Sequence, residues 1–227
     1  MVSIIKKPSK KSYIEHKIIG TWIQESPNII VSDPGYEKVV PEKGKKNHIF
    51  TLSTTVENVS KGKWISFIEY IPLVKRVSKI FTFKIINGKE YDTNELIENS
   101  NWIPLSIIPV DSGQVTIVDE IGFRNDNIQG FSDEKSLSKT AKDYMFDNKS
   151  GERWYGKVSS LTDGKRDAAS IPYGVTTRSG WGDGMYNSFM TTSRGKVIGI
   201  RVDFIEDNEI DEIIHKYEKQ KQKQKKM

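Results

Sequence analysis

The feature that most constrains this chain is a two-residue hydrophobic period that recurs through its first half. In residues 48–58 the even positions Phe50, Leu52 and Val56 are apolar, while Thr51, Ser53, Thr55 and Glu57 are polar. In residues 77–85 the odd positions Val77, Phe81, Phe83 and Ile85 are apolar, opposite Ser78, Thr82 and Lys84. Such alternation puts successive side chains on opposite faces of a strand, one packed and one wet. The runs Ile29-Ile30-Val31 and Trp64 to Tyr70 add β-branched and aromatic residues that suit a pleated surface. Asn87-Gly88, following an apolar strand, predicts a two-residue hairpin turn.

The period changes further along. Leu137, Ala141, Tyr144 and Met145 fall on one helical stripe, with Ser132 as N-cap and Asp133 and Glu134 in the first turn. A second stripe, Trp154, Tyr155, Val158 and Leu161, follows the Ser150-Gly151 break, so a helical insert is predicted at about 132–161. Met185 to Thr192 and Lys196 to Ile205 then flank a Ser193-Arg194-Gly195 turn and read as a hairpin. A last helix starts near Asp207, with Ile210, Ile213, Ile214 and Tyr217 on one face, acids early and lysines late. The predicted class is α+β and sheet-dominated, a β-sandwich or an open barrel with a helical insert and a C-terminal helix.

At 227 residues one domain is favoured, large enough to bury a core without staples. The absence of cysteine excludes disulfides, a thiolate nucleophile and any cysteine zinc site. The formal charge is +5, but residues 1–12 carry +4 and residues 216–227 carry +5, which leaves −4 on residues 13–215. The expected layout is therefore a single β-rich domain over 13–215 between two basic, flexible tails. Those tails predict only weak, nonspecific contact with nucleic acid, and RNA association through the C-terminal lysines is the weakest functional reading. The longest apolar stretch, Ile103 to Val110, is broken by Pro104, Ser106 and Pro109 and is far short of a membrane helix. Together with the lack of a secretory signal, this predicts a soluble cytoplasmic protein with no membrane partner, working inside a host cell if the source is viral.

Three segments pair Asp with Gly. Asp33-Pro34-Gly35-Tyr36 has the sequence of a type II turn, which accounts for every residue except Tyr36. In Val110-Asp111-Ser112-Gly113-Gln114 a turn or bulge explains Gly113 but not Gln114, nor Asp119 beyond it. Ser179-Gly180-Trp181-Gly182-Asp183-Gly184 has more glycine than a β-turn needs, which predicts close approach to the backbone by a strand, a ring or a ligand. Packing of Trp181 against a neighbouring strand explains it equally well. No helix follows to receive a phosphate, so this is not a dinucleotide loop.

These segments, with Gly62-Lys63-Trp64 and the closing Val202-Asp203-Phe204-Ile205, resemble a family of uncharacterised bacterial and phage domains of unknown function. The resemblance covers about residues 29–205 and rests on Asp33, Tyr36, Trp64, Asp111, Gln114, Trp181, Asp183 and Tyr186. It implies domain boundaries and no particular activity. The lysine-rich ends and much of the helical insert fall outside it.

A serine triad needs a histidine within reach of its serine. His16, His48 and His215 are distant in sequence from Ser112 and Ser179, and three histidines without cysteine make zinc uncommon. The paired acids Asp119-Glu120 and Asp203 with Glu206 are indistinguishable, in sequence, from ordinary surface acids. The leading expectation is a non-catalytic binding or regulatory module without a cofactor. Its predicted ligand-binding residues are Trp181, Asp183, Tyr186, Asp111, Gln114, Asp33 and Tyr36, and its partner is a protein or a small ligand. The alternative is a hydrolase holding Mg²⁺ or Ca²⁺ on Asp33, Asp111 and Asp183. Against it stands the simpler role of each aspartate capping its own turn.

Overall fold

A computed structural model describes residues 10–37, 52–85, 92–131, 150–162 and 166–224. After a short 3₁₀ turn at Lys10–Tyr13 come β1 (Glu15–Gln24), β2 (Ile29–Ser32), β3 (Ser53–Val56), β4 (Gly62–Ile71) and β5 (Arg76–Lys84). Next are α1 (Thr93–Glu98), β6 (Ile103–Val110), β7 (Gln114–Asp119) and α2 (Glu152–Thr162). The chain continues through β8 (Ala168–Ile171), β9 (Gly174–Arg178), β10 (Gly184–Ser193), β11 (Lys196–Asp203) and α3 (Asp207–Gln224). One sheet has six strands in the order β1-β4-β5-β11-β10-β6, and the other five in the order β3-β2-β7-β9-β8. Their strand pairs are antiparallel.

The two sheets close over one core. Trp64, Ile68, Ile80 and Ile200 of the first meet Ile29, Val31, Ile117 and Val175 of the second. Two separate sheets sharing a core make a β-sandwich rather than a barrel. Part of each outer face is covered as well. On the five-stranded sheet, Trp154, Tyr155, Val158 and Leu161 of α2 pack on Ile30, Val118, Ala169 and Ile171. On the six-stranded sheet, Phe67 stacks on Phe81 at 5.0 Å, next to Phe83, with Leu96, Ile97 and Trp102 against them.

This double covering overturns the expected wet face of residues 77–85. Every residue from Val77 to Phe83 is buried, Ser78 and Thr82 included. The period also breaks at Ser78: Glu69 pairs with Lys79 and Tyr70 with Val77, so one extra residue of β5 has no partner. The bulge sends Val77 to the inner core while Phe81 and Phe83 face outward, although all three are odd-numbered. Leu52 is 48% exposed rather than packed, because it precedes the first ladder residue of β3.

The Asn87-Gly88 turn and the Leu137–Met145 stripe lie outside the described residues. Among the described residues the next element after β5 is α1, and β6 pairs with β10. The second stripe is α2. Its start is tied down from a distance, because Asp126 accepts hydrogen bonds from the backbone of Gly151 and of Trp154, each at 2.8 Å. The last helix departs from the expected flexible tail at 216–227, for α3 runs through the lysines to Gln224. Ile210 anchors it in the core, Tyr217 packs edge-on to Tyr13 at 6.0 Å, and Tyr13 donates a hydrogen bond to Glu218. Lys10 adds ion pairs to Asp207 at 3.4 Å and Asp211 at 3.1 Å.

Lys79 sits between Glu69 at 3.0 Å and Asp207 at 2.9 Å, and so links β4, β5 and α3. His16 Nε2 approaches the other Glu69 oxygen at 3.6 Å, and Ser78 donates to Glu69 at 2.7 Å. Burial pushes the Glu69 carboxyl up, but His16, Lys79 and Ser78 outweigh it and hold it at about 2, below the ordinary 4.5. Asp203 goes the other way: burial raises it to about 6, with the nearby Arg201 only partly opposing.

A carboxylate held low in the folded state stabilises above its unfolded pKa and loses that contribution on acidification. For Glu69, stability should fall by about 2–3 kcal/mol between pH ~4.5 and ~2, and E69Q should flatten that limb in urea titrations across pH. Asp203, held high, should instead cost stability as pH rises from ~4 to ~6, and D203N should remove that part of the slope.

Candidate functional site

The three Asp–Gly segments meet at one end of the sandwich. Asp33 is 1% exposed. One of its carboxylate oxygens accepts the Gly35 N–H at 2.7 Å, and the other accepts the N–H groups of Asp111 at 2.8 Å and Ser112 at 2.7 Å. It therefore caps its own turn and also clamps the β6–β7 turn. Gly35 does not adopt positive φ, so the turn is not type II. The aspartate side chain closes it instead, and the Tyr155 ring lies 3.4 Å from where a Gly35 Cβ would stand. Arg124 braces the same turn, donating to the carbonyls of Pro34 and Gly35 while pairing with Glu152 at 2.7 Å.

The β6–β7 turn in turn touches the glycine-rich loop. Ser179 N–H donates to the Gly113 carbonyl at 3.0 Å, and a Cβ on Gly113 would stand 3.8 Å from Gly182 Cα. The loop's glycines have reasons within the chain. A Cβ on Gly180 would meet Phe204 Cβ at 2.7 Å, Gly182 needs its φ of +110°, and Gly184 lies under the Tyr186 ring. Tyr186 is buried, with its hydroxyl 2.9 Å from the Ser179 carbonyl and 2.7 Å from that of Gly182. Ser179 Oγ also donates to the Gly182 carbonyl, at 2.7 Å. Trp181 is not packed against a strand; it is 51% exposed.

Tyr36 is held to this cluster by a hydrogen bond with Asp111. Its phenol is pushed up first by burial, then by that bond and by the charges of Asp111, Asp33 and Asp183. The aspartates thus gather, but into different settings. Asp33 has both oxygens engaged by backbone, while Asp111 and Asp183 are exposed. Among the described residues no group of three or more His, Asp or Glu is placed to hold a metal ion. Asp119, the other unexplained acid, is fully buried and accepts the N–H groups of Glu25, Ser26 and Ile121.

Next to this cluster lies a cavity of about 270 Å³, walled by the β4–β5, β6–β7 and glycine-rich turns with the end of α2. Of the predicted residues, Gln114 and Trp181 line it; Asp33, Tyr36, Asp111, Asp183 and Tyr186 do not, and stand around it as support. Trp64, also in the motif set, is a core residue whose indole donates to the Ser60 carbonyl at 2.9 Å. Three wall residues carry a buried side-chain oxygen without a hydrogen-bond partner: Ser112 Oγ, Gln114 Oε1 and Thr162 Oγ1. Buried polar atoms are rarely left unpaired, and three of them belong to residues of this one wall. Lys75, Arg76, Asp167 and Arg178 complete the wall and were not legible in the sequence, since each is an ordinary charged residue at a turn or strand end. A wider groove of about 590 Å³ between the β1 and β8 edges holds none of the predicted site residues.

Asp33 should behave as a structural residue. D33A removes three charge-assisted bonds to backbone and should cost at least about 2 kcal/mol in urea unfolding. Exposed Asp183, changed to Ala, should stay within about 0.5 kcal/mol of the parent.

Searches of curated proteins and of solved structures find no match to the chain. A family model matches residues 24–202, which takes in all eight motif residues and starts and ends a few residues before the span read from the sequence. With most of its length matched, the chain belongs to the family described as protein of unknown function (DUF4241).

Proposed function

We propose that this protein is a non-catalytic binding module that takes a small ligand in the cleft beside Gln114 and Trp181. The observation that carries this reading is the set of three unpartnered buried oxygens in one wall, with a half-exposed indole alongside. The Asp–Gly segments serve as its frame: Asp33 fixes the turn that bears Ser112, and Tyr186 fixes the loop that bears Trp181. A nucleophile with its base has no support in the described residues. Ser179 Oγ is committed to the Gly182 carbonyl, His16 lies beside Glu69, and His215 is exposed on α3. No helix of the described residues is long and apolar enough to cross a membrane. A cytoplasmic location belongs to the same proposal, since a chain without cysteine gains nothing from an oxidising compartment.

The test is a nuclear magnetic resonance titration of the full chain with a set of small aromatic and hydroxylated compounds. Binding should shift the Trp181 indole N–H, the Gln114 side-chain amide and the Gly113 amide together. Shifts confined to the β1–β8 groove, or none with any compound, would overturn the reading. Millimolar Mg²⁺ or Ca²⁺ should leave the melting temperature unchanged, and a rise of several degrees would favour the metal-dependent hydrolase instead.

A further inference from the structure

The cleft has an electrostatic character that its aspartate frame does not predict. Lys75, Arg76 and Arg178 all line it, against the single acid Asp167, so its wall carries a net charge of +2. The surrounding body, residues 13–215, sums to −4, so positive charge is concentrated where the rest of the domain is acidic. None of the three cations forms an ion pair with a described residue, although Lys79, Arg124 and Arg201 each have one. Arg76 donates only to the Lys75 carbonyl, at 3.2 Å, and Lys75 is held at the turn with φ of +54°. All three are solvent-exposed on the same cavity wall, where their summed positive charge attracts an anion.

The other wall groups narrow the class. Two guanidinium groups favour a phosphate, whose oxygens they can bind in pairs. Trp181, half-exposed at the glycine-rich loop, offers a stacking face for a flat ring. Gln114 Oε1 is an unpaired acceptor that calls for an N–H or O–H on the ligand, and the hydroxyls of Ser112 and Thr162 can donate or accept. A volume of about 270 Å³ is at the lower edge of small-molecule pockets, a size that suits a single mononucleotide and not a dinucleotide.

We infer that the cleft binds a phosphorylated ring compound of nucleoside-monophosphate type, with the phosphate among Lys75, Arg76 and Arg178 and the ring on Trp181. This rests on the reading of the cleft as a ligand site and adds the ligand's charge and shape. The experiment is calorimetry and tryptophan fluorescence on the full chain with AMP, UMP, adenosine and inorganic phosphate as probes, at low and high salt. At least one nucleotide should bind about tenfold or more tighter than adenosine or phosphate, quench the exposed indole, and weaken as salt rises. K75Q/R178Q, and separately R76Q, should weaken that nucleotide about tenfold while the melting temperature holds. W181L should abolish the quenching and lower affinity for the nucleotide but not for phosphate.

Nucleotide affinity no greater than that of adenosine or phosphate would overturn the inference, as would affinity unchanged in the charge variants. If neutral compounds shift Trp181 and Gln114 while both nucleotides leave them unmoved, this inference falls and the ligand-site reading stands. If nothing shifts them, both fall.

Discussion

The arrangement depends most on one buried carboxylate. Asp33 follows the last residue of β2 in the five-stranded sheet, and the turn it clamps joins β6 of the other sheet to β7. Its two oxygens satisfy three backbone N–H groups that end-of-sandwich loops would otherwise leave to solvent or unpaired. Side chains fix these loops where strand ladders cannot reach. Asp119 does the same between the β1–β2 connection and the end of β7, and Asp126 does it for the start of α2. Aspartate suits the task because its short side chain holds two acceptors close to the chain, and charge strengthens each bond. The frame around the cleft is thus polar and rigid, while the cleft itself keeps unpaired groups.

A second constraint is the covering of part of each sheet on both faces. Inner faces meet in the shared core, and the outer faces carry α2 on one side and α1 with Trp102 on the other. Strands covered on both faces, as β5 is, cannot show a clean hydrophobic alternation, because neither face is wet. Threonine and serine in these strands bond locally instead, as Ser66 does to Thr82 at 3.1 Å. The bulge at Ser78 sits in the middle of this arrangement, where it brings Ser78 Oγ and Lys79 to the same Glu69 oxygen.

Much of this fold was legible because strand chemistry is local. The β-branched runs at Ile29 and Trp64, the Ser193-Arg194-Gly195 hairpin and the Trp154–Leu161 stripe each declare an element without reference to the rest. What was hidden depends on distant partners. Nothing near Ser78 announces an extra residue, since a bulge is defined by the register of the opposite strand. The lysines after His215 read as a tail because their anchor, the Lys10–Tyr13 turn, lies about 200 residues away. Glycine and aspartate spacing pointed to segments that meet at one end of the sandwich, where Gln114 and Trp181 line the proposed cleft. The glycines and aspartates build the frame, whereas Lys75, Arg76 and Arg178 reach the cleft from turns and a strand end that carry no motif.

The clasp between the first described turn and the last helix has a practical side. Tyr13 on Glu218 and Lys10 on Asp207 and Asp211 lay the first described turn along the last helix. A pair of dyes placed on the Lys10–Tyr13 turn and on α3 would separate only when this clasp opens, which makes it a natural gauge of how the molecule begins to unravel.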